Sequence, residues 1–178
     1  MPRVTLIGSR GTGKSTVGGL LAARLGEPFV DADVALEARC GASIGTLIRE
    51  RGEPAFRDAE SALLAELLER SGGVLGTGGG VVVRAENRAL LRRGGRPVVW
   101  LTAPADVIRA RLAADPLTAV RRPALVGGDP LAEIETLLRD REALYRETAD
   151  AVVDAAASAD EVVERIVALL ATGTGATP

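Results

Sequence analysis

A chain of 178 residues, with 47% hydrophobic and 26% charged residues, has the balance of one globular domain and the length to bury roughly 70% of its unfolded surface. Its net charge of −2 and its lack of a membrane-length apolar run speak against nucleic acid or a membrane as partner, and we expect a cytoplasmic monomer. The single cysteine cannot form an internal disulfide, and the absence of histidine excludes histidine bases and histidine-bound metals.

The first predicted elements, a strand over residues 3–7 and a helix over residues 15–25, flank the segment GSRGTGKST at Gly8 to Thr16. This segment, the phosphate loop, matches the pattern G-x-x-x-x-G-K-[ST]. Its glycines can take positive φ and curl the backbone around a polyphosphate, which the positive end of the helix also faces. Lys14 adds a charge for the β- and γ-phosphates, and the Ser15 hydroxyl can ligate Mg²⁺. The alternative is a glycine-rich turn before an ordinary helix, but the full pattern in this context favours nucleotide binding by Gly11, Thr12, Gly13, Lys14, Ser15 and Thr16.

Strands and helices continue to alternate along the chain. Further strands are predicted over residues 29–31, 73–76, 96–101 and 151–154, and further helices over residues 34–40, 43–50, 55–70, 86–93, 105–113, 130–147 and 159–170. Short apolar strands separated by helices predict an α/β fold with a five-stranded parallel sheet covered on both faces. Ligands bind at the carboxyl ends of such strands, where the phosphate loop, residues 31–33 and residues 77–80 should meet.

Two segments have no predicted regular structure. Residues 115–129 combine prolines and glycines with Arg121 and Arg122, and an irregular segment of this length is usually functional or mobile. Residues 172–178 are small and polar, and we expect them to form a disordered tail. The rest, residues 1–171, should form one domain.

Asp31 and Asp33 stand at the end of the second predicted strand. Asp33 could orient an attacking hydroxyl or accept its proton. Asp31 could hold water on Mg²⁺, which keeps part of its hydration shell in proteins. The alternative interpretation makes Asp33 a helix N-cap and Asp31 a loop carboxylate, and the structural and functional roles can coexist.

Arg57 and Glu60 are three residues apart on one predicted helix, so their side chains can pair. One interpretation is a surface ion pair, worth less than about 1 kcal/mol. The other is that Glu60 holds the planar guanidinium of Arg57 in place to bind a planar carboxylate. Three consecutive glycines, Gly78–Gly80, directly follow the third strand, and close approach of a ligand explains them better than a flexible hairpin does.

These segments, together with Arg122-Pro123 and the run Arg141-Glu142-Ala143-Leu144-Tyr145, resemble the successive motifs of the shikimate kinase family from about Val4 to about Leu170. The resemblance implies the nucleoside monophosphate kinase fold, with a substrate-binding helical insert over about residues 33–60 and a mobile lid over about residues 114–129. It also implies transfer of the γ-phosphoryl group of MgATP to the 3-hydroxyl of shikimate, in the pathway to chorismate and the aromatic amino acids.

The same resemblance implies roles on the acceptor side. The aspartate that matches Asp33 contacts the ring hydroxyls of shikimate, and the arginines that match Arg57 and Arg141 bind its carboxylate. Glu60 would hold Arg57 in place. The amides of Gly78, Gly79 and Gly80 would approach the substrate closely.

On the nucleotide side, the resemblance places Arg109 against adenine and Arg122 at the β- and γ-phosphates. The segment between them is several residues longer than the family pattern, so Arg121 stays open as the lid arginine, although Pro123 favours Arg122. No arginine stands in the loop after Asp154, so adenine contact there should be through backbone.

Two other functions fit parts of the sequence. Another small-molecule kinase of this fold, such as a gluconate kinase or a nucleotide kinase, shares the phosphate loop, but a neutral polyol would not need both Arg57 and Arg141. A nucleotide-dependent switch that reads guanine needs an N-K-x-D motif, and the only lysine is Lys14. The chain also lacks glutamine, the usual water-orienting residue of small GTPases.

Overall fold

The computed structural model describes residues 1–70, 72–114 and 130–173, with backbone only for residues 130–133. Its strands are β1 (Val4–Ile7), β2 (Phe29–Asp31), β3 (Val74–Gly76), β4 (Val98–Thr102) and β5 (Ala151–Asp154). Its helices are α1 (Lys14–Leu25), α2 (Ala32–Cys40), α3 (Ile44–Glu69), α4 (Ala85–Gly94), α5 (Ala105–Ala114), α6 (Pro130–Thr148) and α7 (Ala159–Ala171), and a 3₁₀ turn covers Val81–Val83. The predicted strands and helices are confirmed to within two residues at their ends, apart from the 3₁₀ turn, which was not predicted.

The five strands form one parallel sheet in the order β2-β3-β1-β4-β5. β1 lies at the centre, where Val4 is in register with Val74 of β3 and Thr5 with Val98 of β4. Because all five strands run the same way, their carboxyl ends meet at one edge, and the connections from β1, β2 and β3 leave from that edge. The predicted α/β fold with a five-stranded parallel sheet is confirmed.

Helices cover both faces of the sheet, so neighbouring residues of one strand enter different hydrophobic cores. In β1, Leu6 belongs to the core that includes Val17 of α1 and Ile166 of α7. The next residue, Ile7, belongs to the core that includes Leu64 of α3. This packing on both faces explains why all four residues of the strand are buried, and why three of them, Val4, Leu6 and Ile7, are apolar.

The predicted break between two helices lies inside α3. Gly52 has φ 83° and ψ 161°, which are not helical values, and Pro54 follows two residues later. A positive φ suits glycine and disfavours other residues, so the sequence sets the position of the break. The second half of α3 then brings Arg57 and Glu60 next to the residues that follow β3.

No helix in the described part of the chain is long and apolar enough to cross a membrane. The predicted lid, with Arg121 and Arg122, falls on residues 115–129, which lie outside the described residues, as do residues 174–178 of the predicted tail.

Candidate functional site

The phosphate loop joins β1 to α1 at the carboxyl edge of the sheet. Gly8, Gly11 and Gly13 take φ values of 144°, 80° and 90°, so the predicted positive φ angles are confirmed. A side chain at Gly8 would collide with the carbonyl oxygen of Leu101, and one at Gly11 would press on Ile108 at 3.0 Å. The loop is therefore packed against β4 and α5, and only glycine fits the two contact positions.

Lys14, the first residue of α1, folds back over the loop. Its Nζ donates hydrogen bonds to the carbonyl oxygens of Gly8 and Ser9, both at 2.9 Å. The side chain is half-buried and held by its own loop. The ammonium group thus already lies at the loop, where an anion would bind.

Ser15 and Asp31 form the oxygen pair beside the loop. The Ser15 hydroxyl donates to Oδ2 of Asp31 at 2.5 Å, which leaves the lone pairs of the serine oxygen available. No cluster of three or more His, Cys, Asp or Glu that could hold a metal occurs among the described residues. A pair of oxygen donors still fits Mg²⁺, since this ion binds through few protein groups and keeps several waters.

Asp31, and not Asp33, is the N-cap of α2. Oδ1 of Asp31 accepts from the backbone N–H of Asp33 at 3.0 Å and of Val34 at 3.3 Å. The interpretation of Asp33 as the cap was wrong because α2 begins at Ala32, directly after β2, and leaves no loop between strand and helix. One carboxylate therefore caps a helix with one oxygen and accepts from Ser15 with the other.

The glycine segment Gly78–Gly80 lies in contact with the side chains that the sequence singled out. An added Cβ at Gly78 would stand 2.6 Å from Oδ1 of Asp33 and 2.9 Å from Oε1 of Glu60, and one at Gly80 would overlap the guanidinium of Arg57. None of the three glycines has a positive φ. A larger residue at Gly78 or Gly80 would displace these side chains, so close approach, and not backbone conformation, favours glycine here.

Arg57 and Glu60 form a buried ion pair rather than a surface one. Nη1 of Arg57 donates to Oε2 of Glu60 at 2.8 Å, and the two residues are only 8% and 7% exposed. Nε and Nη2 of Arg57 both donate to Oε1 of Glu53, at 3.3 Å and 3.0 Å. Two carboxylates from the same helix thus fix the position of the guanidinium. A single ion pair on the surface would leave it more freedom.

Helix α6 reaches the glycine segment from a third direction. Nη1 of Arg141 donates to the carbonyl oxygen of Gly79 at 3.2 Å, and the hydroxyl of Tyr145 donates to the same oxygen at 2.5 Å. Arg57 and Arg141 therefore both border one three-residue segment. The sequence analysis named Tyr145 only as the end of a family motif and gave it no role, although its position four residues after Arg141 places both side chains on one helix face.

A cavity of about 540 Å³ extends from the phosphate loop along this edge of the sheet. Its acceptor end includes Asp31, Asp33, Thr77 and Gly79, and its other end is lined by Arg111, Leu112, Ala155, Ala157, Ala159 and Val162. The loop after Asp154 contributes Ala155 and Ala157 to this apolar end. Contact between that backbone and adenine stays a prediction.

The structure brings Arg111, and not Arg109, to this cavity. Nη2 of Arg111 donates to the carbonyl oxygen of Ala155 at 2.8 Å. Arg109 instead pairs with Glu135 of α6 at 3.4 Å and is not among the cavity's lining residues. A signal in the sequence could have favoured Arg111. Ile108 is fully buried, and Arg111 lies three residues later on the same helix face.

Comparison with known proteins identifies the family of the chain. A family model described as shikimate kinase matches residues 10–171. The chain is 46% identical over 171 residues to a shikimate kinase of Oleidesulfovibrio alaskensis, across 96% of this chain and 98% of that protein. It is 49% identical over 169 residues to a shikimate kinase of Nitratidesulfovibrio vulgaris, across 95% of each.

A solved structure, shikimate kinase from Acinetobacter baumannii in complex with shikimate, matches the fold with a TM-score of 0.89 and 34% identity, across 97% of this chain and 94% of that one. The predicted resemblance is confirmed, and the chain belongs to the shikimate kinase family.

Proposed function

We propose that this chain transfers the γ-phosphoryl group of MgATP to the 3-hydroxyl of shikimate, in the cytoplasm and as a monomer. The observation that best supports this is the position of Arg57. A buried guanidinium lies against the glycine segment, and that segment touches the phosphate loop, where an added Cβ at Gly79 would stand 3.1 Å from the backbone nitrogen of Arg10. A site for a carboxylate thus adjoins a site for a polyphosphate.

The nucleotide occupies the phosphate loop and the apolar end of the cavity in this proposal. The amides of residues 11–16 and the ammonium of Lys14 bind the phosphates, and Lys14 exchanges its two carbonyl partners for phosphate oxygens. Arg111 takes the place that the sequence gave to Arg109 and lies against the base. Ser15 would ligate Mg²⁺ and Asp31 would hold a water on it, and the bound ion would neutralise charge on the phosphates.

The acceptor occupies the other end. Arg57 and Arg141 bind the carboxylate, Glu60 keeps Arg57 in place, and the amides of the glycine segment meet the ring oxygens. Asp33 borders Gly78 and faces the cavity, where it orients the attacking hydroxyl and accepts its proton as the new oxygen–phosphorus bond forms. In the same displacement, the bond between the γ-phosphorus and the oxygen that bridges it to the β-phosphate breaks, and ADP leaves with that oxygen.

Arg122 completes the proposal as the lid arginine at the β- and γ-phosphates. It lies outside the described residues, so its assignment rests on the sequence alone, with Arg121 as the alternative. A lid over residues 114–129 that closes on bound nucleotide would exclude water and prevent hydrolysis of ATP.

Release of ADP, measured with shikimate, with gluconate, with nucleoside monophosphates and without acceptor, tests this function. We expect shikimate to raise ADP release at least 100-fold over the other three conditions, with shikimate 3-phosphate as product by phosphorus NMR. ADP release that depends on gluconate or a nucleotide would replace the proposal by another kinase of this fold. Release without any acceptor, unaffected by shikimate, would point to a nucleotide-dependent switch.

A further inference from the structure

The carbonyl oxygen of Gly79 is the most tightly held point of the glycine segment. It accepts from Tyr145 at 2.5 Å and from Arg141 at 3.2 Å, two donors on the same face of α6. A carbonyl oxygen has two lone pairs, so these donors fill its capacity. Tyr145 is 1% exposed, and its ring stacks on Trp100 of β4 with centroids 5.5 Å apart and planes 19° apart.

This contact fixes the orientation of a whole peptide group. The bond between Gly79 and Gly80 is trans, so its C=O and N–H point in opposite directions. Glycine on both sides makes rotation of this peptide plane sterically cheap, because no Cβ opposes it. Holding the oxygen toward α6 therefore directs the N–H of Gly80 away from α6 and removes the freedom that the glycines would otherwise have.

The orientation of this peptide group matters because Gly78, which precedes it, and Gly80, which belongs to it, both border the proposed acceptor site. Gly78 adjoins Asp33 and Glu60, and Gly80 adjoins Arg57. A rotated Gly79–Gly80 peptide would present a carbonyl oxygen where the acceptor's oxygen atoms and carboxylate should meet an N–H. It would also leave Arg141 without the acceptor that now fixes its Nη1.

We propose that Tyr145 is a positioning residue for the acceptor. Its hydroxyl holds the Gly79–Gly80 peptide in the orientation that offers the Gly80 N–H to the substrate, and it keeps Arg141 on the shared oxygen. The inference rests on the proposed function, because the acceptor is taken to be shikimate. Tyr145 touches neither the nucleotide end of the cavity nor the phosphate loop in the described contacts, so its effect should be confined to the acceptor.

Burial supports a constant role across the working pH range. Desolvation raises the pKa of Tyr145 to about 12, and the nearby Arg141 opposes this only in part. The hydroxyl therefore stays protonated and donates to Gly79 at any pH that an assay would use. The contribution of Tyr145 to substrate binding should not change between pH 7 and pH 9.

The test is Tyr145→Phe, which keeps the ring and its stacking on Trp100 but removes the donor. We expect the KM for shikimate to rise about 3- to 10-fold, the range for losing one hydrogen bond, and the KM for ATP to change less than twofold. Trp100 is the only tryptophan, so its fluorescence can report shikimate binding without nucleotide or turnover. The Kd from that titration should rise by the same factor.

Thr148→Val is the matched control. Thr148 is 2% exposed, and its hydroxyl donates to the carbonyl oxygen of Leu144 at 2.6 Å, one turn further along α6 and away from the glycine segment. It should leave both KM values unchanged. Equal rises in shikimate KM in both variants, or a lower Tm with unchanged KM in Tyr145→Phe, would overturn the inference and leave the kinase function intact.

A second measurement does not depend on the variant folding. Tyr145 is the only tyrosine, so growth on 3-fluorotyrosine labels this position alone. Saturating shikimate should shift the fluorine resonance of the intact enzyme, and gluconate should not. An unchanged resonance, in a protein that turns over shikimate, would overturn the inference; a protein with no shikimate turnover and no shift would instead contradict the proposed function itself.

Discussion

The two ends of the site are built in different ways. The phosphate end is one continuous segment, Gly8 to Thr16, whose backbone supplies the binding groups and whose glycines are fixed by positive φ and close packing. The acceptor end is assembled from side chains on three separate elements: Arg57 and Glu60 on α3, the glycine segment after β3, and Arg141 on α6. The first end can be read from one motif, and the second exists only after folding.

This difference implies a difference in function. In the proposed function, backbone amides and Lys14 act on phosphates whose charge redistributes during transfer, so changes there should lower kcat. The arginines are proposed to bind a carboxylate that takes no part in the reaction, so changes there should raise the KM for shikimate. The predictions below test this division, from the largest expected effect to the smallest.

Lys14→Ala should reduce turnover to below detection, because it removes the charge on the transferred group. The side chain donates to the carbonyls of Gly8 and Ser9 in its own loop and is not part of a hydrophobic core, so the Tm should fall by a few degrees at most. Stopped and continuous ADP assays would measure the turnover, and thermal unfolding of the same sample would measure the Tm. Turnover near that of the wild type would exclude this lysine from the mechanism.

Asp33→Asn should lower kcat by about 10²-fold, at the low end of general-base contributions, with little change in the KM for ATP. The substitution keeps the size of the side chain beside Gly78 and removes its basicity. Asp31 is not a suitable control, because it caps α2. If kcat holds and only the shikimate KM rises, Asp33 binds the acceptor but does not take its proton.

Arg141→Ala should raise the KM for shikimate about 10- to 150-fold, which corresponds to losing a charge-assisted hydrogen bond of roughly 1.5–3 kcal/mol. Arg57→Ala should do at least as much, because it also leaves Glu60 buried without its ion pair. Arg139→Ala, an exposed position on the same helix as Arg141, is the matched control. Equal effects on the two substrates would contradict the division of the site.

Arg111→Ala should raise the KM for ATP about 3- to 10-fold, because it removes a side chain that lines the apolar end and its hydrogen bond to the carbonyl oxygen of Ala155. Arg109→Ala should change it less than twofold, because that side chain is partly exposed and pairs with Glu135. The pair of variants separates the two assignments directly. A larger effect from Arg109 would restore the assignment that the sequence suggested.

The fold was predictable because its signals are local. Apolar strands, helical spacing and glycine breaks each lie within a few residues, and Gly52 ended a helix where the sequence placed the break. The phosphate loop was predictable for the same reason. Membership of the family followed from the order of several such segments.

What the sequence could not supply depends on packing between distant segments. Arg109 and Arg111 are two arginines on one helix. Their spacing from Ile108 favours Arg111, but only the packing of α5 against the loop after β5 shows which of them reaches the cavity. The helix cap depended on β2 running directly into α2, a boundary that shifts by one or two residues in any sequence prediction. Tyr145 donates to a carbonyl 66 residues away, and no local pattern marks such a contact.

The most direct test of the division is a comparison of shikimate with its methyl ester, in which the carboxylate charge is absent. The wild-type enzyme should prefer shikimate by 10²-fold or more in kcat/KM, through KM. In Arg141→Ala this preference should fall at least tenfold while kcat for the ester stays close to that of the wild type. A preference that is unchanged in Arg141→Ala and in Arg57→Ala would show that the arginines do not recognise the carboxylate and would contradict the account of the acceptor end.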